Sequence, residues 1–122
     1  MKETLNLWLS KSARLPGVLA CGLRYQDKAC FTQTWSSNYK TEALENALRC
    51  AADTFHVLQL NRFVSQWTRW VYENAFLYCA RRTDGICLAL ITTKDPLAFD
   101  QKQIEQLLAE FRSLSVQLES GS

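Results

Sequence analysis

Side chains able to act as nucleophile, base or metal ligand are few in this chain, and their spacing does not suit such roles. The single histidine, His56, stands between Phe55 and Val57, a setting that suits a partly exposed structural imidazole better than a ligand or general base. Ser36-Ser37 reads as loop and helix lead-in rather than as a nucleophile. There is no glycine-rich phosphate loop and no nucleophile elbow. The five cysteines, at positions 21, 30, 50, 79 and 87, are odd in number, and none forms a C-x-x-C pair. They read as core filler in a reducing compartment, with a disulfide or metal site as the lesser alternative. These observations argue against an enzyme, and no cofactor or metal is expected. What remains chemically conspicuous is QWTRWVYE at positions 66–73. Its aromatic rings and arginine could stack on nucleobases, fill a core or seal a subunit interface.

The 122 residues suit one domain, and the net charge of +2 is a weak excess for gripping a phosphate backbone. No leader pattern and no apolar run of about 18 residues is apparent, so the expectation is a soluble cytoplasmic protein without a membrane segment. One domain over 1–118 is expected, with Glu119-Ser120-Gly121-Ser122 as a flexible tail.

Hydrophobic spacing orders the elements. Leu5, Trp8 and Leu9 predict a helix over 3–14, stopped by Pro16-Gly17. VLACGLRY (18–25) and ACFTQTW (29–35) predict a hairpin around Gln26-Asp27-Lys28, its first strand apolar on both faces. A long helix over 41–60 follows, with an apolar stripe of Leu44, Ala47, Leu48, Ala51, Phe55 and Leu58. Beside that stripe lies a flank of compact residues, Ala43, Cys50, Thr54 and Val57, which would either receive another helix or sink into the chain's own sheet. Strands over 64–72, 75–82 and 86–93 are joined by Glu73-Asn74 and Asp84-Gly85, the latter a signature of hairpin turns with positive φ. Asp100 is placed to cap a last helix, with Gln103 in capping-box position and a stripe of Ile104, Leu107, Leu108, Phe111, Leu114 and Leu118. The fold class is α+β, in the order α-β-β-α-β-β-β-α, with helices on both faces of one antiparallel sheet.

This order resembles the roadblock and dynein light chain family. The resemblance is carried by Leu15-Pro16-Gly17-Val18 at the first helix-strand junction, by the long helix from Thr41, and by Thr83-Asp84-Gly85 leading into Leu88-Ala89-Leu90-Ile91. Two departures are the Gln26-Asp27-Lys28 turn, where the family often has Asp-Gly, and the tryptophan-rich third strand. The resemblance implies a five-stranded sheet with the long helix on one face and the terminal helices on the other. It also implies a non-catalytic homodimer serving as a scaffold or regulator of a small GTPase or of a signalling or motility complex. The implied dimer surface comprises Ala43, Ala47, Cys50, Thr54 and Val57 of the long helix with Gln66, Trp67, Thr68, Arg69 and Trp70 of the third strand.

In a strand, Trp67 and Trp70 point to opposite faces and cannot form one stacking platform. A two-residue Glu73-Asn74 turn sets Trp70 opposite Leu77 and Trp67 opposite Ala80. Burying about 200 Å² of one tryptophan at about 25 cal/mol per Å² yields roughly 5 kcal/mol. Cover is therefore expected, from a twin copy or from the chain's own core. Two other functions stay open. One is a single-stranded nucleic-acid binder using Arg62, Arg69, Arg81 and Arg82 with the neighbouring aromatic residues, which the charge disfavours. The other is a small-molecule sensor with its ligand between sheet and long helix.

Overall fold

The computed structural model describes residues 2–62 and 66–114. The expected Val64 strand start, the stripe residue Leu118 and the tail 119–122 lie outside them. The elements are α1 (Lys2–Ser12), β1 (Val18–Arg24), β2 (Cys30–Thr34), α2 (Thr41–Leu60), β3 (Trp67–Val71), β4 (Phe76–Arg81), β5 (Cys87–Thr92) and α3 (Gln101–Ser113). All five strands join one sheet in the order β2-β1-β5-β4-β3, every neighbouring pair antiparallel. The doubly apolar β1 and β5 occupy interior positions and β3 is an outer strand, in line with the run of apolar residues in each.

The strand period of two divides the core. One layer joins Leu5 and Leu9 of α1 and Ile104, Leu108 and Phe111 of α3 to Cys21, Leu23, Tyr78, Leu88 and Leu90 of the sheet. The other joins Leu44, Leu48, Ala51 and Phe55 of α2 to Ala20, Leu77, Cys79, Ala89 and Ile91. Each fully buried leucine or phenylalanine contributes about 1.5–3 kcal/mol. Tyr25 ties α1 to the first hairpin, its hydroxyl 2.6 Å from Asn6 Oδ1 and 3.1 Å from the Lys2 carbonyl oxygen. Trp8 Nε1 donates to Glu110 Oε1 at 2.8 Å and joins the two terminal helices.

Turn chemistry sets the register. Tyr72 N–H bonds the Ala75 carbonyl at 2.9 Å, closing the two-residue Glu73-Asn74 loop, so Trp70 faces Leu77 and Trp67 faces Ala80 as expected. The turn at Asp84-Gly85 differs from expectation. Arg82 pairs with Ile86 across three residues, and only Gly85 has positive φ, at 89°. Asp84 Oδ1 accepts from Ile86 N–H at 3.2 Å, which holds Asp84 at negative φ and leaves the left-handed position to glycine. The first hairpin uses the same device with Lys28 at φ 72°. Asp100 caps α3, but through Lys102 N–H at 2.9 Å. Gln103 N–H goes to the Asp100 carbonyl at 3.1 Å, so the expected reciprocal box does not form.

Gly17 has φ 86°, and an added Cβ would lie 2.3 Å from Phe99 Cβ. Its carbonyl accepts from Thr93 N–H at 2.9 Å. The Pro16-Gly17 break thus joins the first strand to the lead-in of α3.

Candidate functional site

Helix α2 packs over β1, β5 and β2 and over β4, whose Leu77 and Cys79 are buried, and leaves Trp70 half-buried and Tyr72 54% exposed at the outer margin of the same face. Two adjoining hollows of about 440 and 320 Å³ fill that margin, sharing Ala43, Ala47, Tyr72 and Leu77 as walls. The helix contributes mostly compact side chains here, Cys50 and Thr54 among them, together with Asn46, while Trp70 closes the strand side. Because 3.6 residues make a turn, this row stands beside the buried Leu44, Leu48, Ala51 and Phe55 and shares their orientation only in part. The groove therefore follows from the compact flank read in the sequence.

The ten residues expected at a dimer surface do not all belong to this groove. Ala43, Ala47, Cys50, Thr54 and Trp70 line it. Val57 continues the helix flank and is 55% exposed. Thr68 shares the groove face with Trp70 by strand alternation, and its Oγ1 is buried with no partner among the described residues. Trp67 and Arg69 point the other way. Trp67 packs against the α1/α3 layer with its ring centroid 5.8 Å from that of Tyr78, and Arg69 stacks on Phe76 at 4.6 Å. Gln66 is exposed just ahead of β3. Beyond these side chains, β3 offers its outer edge, where no strand among the described residues pairs.

Sequence reasoning missed Tyr39 and Tyr72 as walls of the groove. Tyr72 was legible as the next residue on the Trp70 face. Tyr39 sits in the connection ahead of α2, where no period marks a face.

The cysteines divide by position. Cys21, Cys79 and Cys87 are buried and Cys30 is half-buried, as core filler should be, whereas Cys50 is exposed, because its place on the wheel falls outside the buried stripe. Burial pushes the Cys21 thiol from 9.0 up to about 12 and Cys87 up to about 11, and it raises Cys79 as well. These thiols stay protonated near neutrality and are poor nucleophiles. His56 is exposed on α2. Among the described residues, no group of three or more His, Cys, Asp or Glu could hold a metal ion.

The arginines do not make a stacking platform. Arg82 is 5% exposed. It donates through Nη1 to the Phe111 carbonyl at 2.6 Å, through Nη2 to the Leu114 carbonyl at 2.7 Å, and it pairs with Asp84 at 3.1 Å. Arg81, on the opposite face, donates to Gln59 Oε1 of α2 at 2.6 Å. With Trp67 and Trp70 also on opposite faces, the described residues form no continuous row of rings and cations for a single strand to follow.

The α-β-β-α-β-β-β-α order, with one long helix across one face and the terminal helices on the other, defines an α+β roadblock-like fold. A roadblock/LC7 domain from Streptomyces avermitilis superposes with a TM-score of 0.61 at 14% identity, over 86% of this chain and 92% of that one. The gliding protein MglB from Thermus thermophilus gives a TM-score of 0.60 at 17% identity, over 87% and 84% of the two chains. MglC from Myxococcus xanthus gives 0.53 at 16%, over 93% and 98%. No family model and no curated protein sequence matches, so the likeness is one of fold. No helix among the described residues is long and apolar enough to cross a membrane.

Proposed function

We propose that this chain is a non-catalytic interaction module that pairs with a second copy of itself and serves as a scaffold or regulator of a small GTPase or related motility complex. The observation that carries the reading is the part-exposed margin of the sheet: a groove walled by Ala43, Ala47, Cys50 and Thr54 runs beside Trp70 and the edge of β3, which no strand among the described residues pairs. Small helical side chains permit close approach of a second α2. An outer strand flanked by aromatic residues needs cover to avoid open-ended association, and a two-fold pair supplies it with a closed contact. In this arrangement Trp70, Thr68 and Tyr72 meet the partner through side chains, while Trp67 and Arg69 take part through the backbone edge. Similarity in fold to the gliding protein MglB and to MglC supports the assignment to a regulatory or motility assembly.

Sedimentation equilibrium of the wild type and of Cys50→Glu and Val57→Glu tests it. Both positions are exposed, so neither change disturbs the core, and circular dichroism should be unchanged. The expected result is a wild-type dimer that each variant converts toward monomer, by at least tenfold in dissociation constant. A monomeric wild type refutes the reading, and dimers unaffected by both variants move the contact elsewhere.

A further inference from the structure

A second cavity, of about 500 Å³, opens on the opposite face of the sheet, away from α2, between the outer strands and the connection leading into α3. Arg69, Phe76, Lys94, Pro96, Phe99, Asp100 and Gln101 line it. The Arg69 guanidinium lies 4.6 Å from the Phe76 ring centroid and the Lys94 ammonium 5.7 Å from the same centroid. One aromatic ring thus holds two like charges. Neither cation is within ion-pair distance of a carboxylate among the described residues. Lys94 is instead steered by the Tyr72 and Glu73 carbonyl oxygens at 2.9 and 3.4 Å, and Arg69 donates to Gln101 Oε1 at 3.2 Å. The acidic lining residue, Asp100, has Oδ1 committed to the Lys102 amide as the cap of α3.

The rim is apolar. Leu97, between the lining residues Pro96 and Phe99, is 95% exposed. Val71 is 61% exposed, pairs with Phe76 across β3 and β4, and shares the face of Arg69 by alternation. Exposed apolar side chains beside a pair of cations that make no ion pair among the described residues describe a recognition surface better than a solvated one.

We propose that this cavity docks a short acidic segment of a partner protein, with a glutamate or aspartate carboxylate entering between Arg69 and Lys94 and a neighbouring aliphatic side chain resting on Val71 and Leu97. A carboxylate there offsets the repulsion of the two cations and takes charge-assisted hydrogen bonds from the guanidinium fork. The apolar rim distinguishes such a segment from a free anion, which has nothing to lay on it. The surface lies on the other face from the α2 groove and does not depend on self-association.

The test uses the isotope-labelled full chain and three end-blocked peptides of alternating leucine with glutamate, glutamine or lysine, followed by amide chemical shifts at low salt. The glutamate peptide should shift resonances around Arg69, Phe76, Lys94 and Phe99, the glutamine peptide should bind at least about fivefold more weakly, and the lysine peptide not at all. Arg69→Gln and Lys94→Gln should each weaken the glutamate peptide about fivefold, and Leu97→Ser should weaken it without changing its salt dependence. Lys94 supports the β3–β4 turn, so Arg69→Gln is the decisive variant if Lys94→Gln loosens that turn. Equal binding of the glutamine peptide, shifts confined to another surface, or inorganic phosphate binding as well as the glutamate peptide would each overturn the proposal. Sedimentation of Arg69→Gln alongside separates loss of docking from loss of the dimer.

Discussion

Replacing Arg82 by methionine should be among the most costly single changes outside the apolar core. The side chain is 4% exposed, and its guanidinium serves three acceptors: the Phe111 and Leu114 carbonyls at the end of α3 and the Asp84 carboxylate. Methionine fills a similar volume and donates nothing. Two carbonyls at the negative end of the helix dipole lose a cation, and Asp84, whose side chain is 25% exposed, loses its partner. Breaking a buried ion pair from one side costs about 3–5 kcal/mol. Water reaching Asp84 recovers part of that, so the expected loss is about 3–4 kcal/mol, a fall in Tm of roughly 10–20 °C for a domain of this size. Arg82→Lys keeps the charge but cannot reach three acceptors with one ammonium and should lose about half as much. Urea and thermal unfolding followed by far-ultraviolet circular dichroism and tryptophan fluorescence measure both. If Arg82→Met unfolds within about 1 kcal/mol of wild type, the side chain does not anchor α3 as argued.

Two further outcomes concern the backbone and pH. Gly17→Ala and Gly85→Ala both force alanine to positive φ, at 86° and 89°, but the new Cβ would meet Phe99 Cβ at 2.3 Å in the first and nothing nearer than 3.4 Å in the second. Chemical denaturation should therefore show a loss of about 1–2 kcal/mol at Gly85 and about 3 kcal/mol or more at Gly17, and the reverse order would contradict the Phe99 contact. Burial raises Cys21, Cys79 and Cys87 above 9.0 and Tyr25 from 10.0 to about 12. The unfolded chain then releases these protons before the native one does, so stability is fully present below pH 9.0 and declines as pH rises through the folded-state values of about 11 and 12. Tm measured against pH should slope downward above pH 9.0, less steeply in Cys21→Ala, and a flat profile to about pH 11 would show that these thiols are not buried.

Much of this architecture was legible because periods survive in the sequence. The α2 stripe, the doubly apolar β1 and β5 and the β3–β4 register all follow from spacing and turn length, and Leu44, Leu48, Ala51 and Phe55 are buried where the wheel puts them. What stayed hidden depends on distant segments. Arg82 follows a strand and precedes an Asp-Gly turn, the usual place for a solvated cation, and it is buried only because α3 ends over it. The Arg69 and Lys94 cavity is likewise assembled from a strand and a connection separated along the chain. The sequence wheel could mark the compact flank of α2 but not how far the helix stops short of β3, which depends on where Gly22 lets Leu48 approach, its potential Cβ position 3.0 Å from Leu48 Cδ1.

The strand made last, β5, lies between β1 and β4, with Val18 facing Thr92 and Arg24 facing Cys87 at one side and Phe76 facing Thr92 at the other. Until residue 92 has been synthesised, the β1–β2 hairpin and the β3–β4 hairpin lack the β5 strand that joins them, and each exposes an unpaired backbone edge and apolar faces. The chain must therefore hold two halves apart through most of its synthesis and zip them together through one late insertion, a long-range closure that slows folding relative to a purely local meander. An emerging polypeptide truncated before Cys87 should be a substrate for chaperones rather than a smaller folded unit.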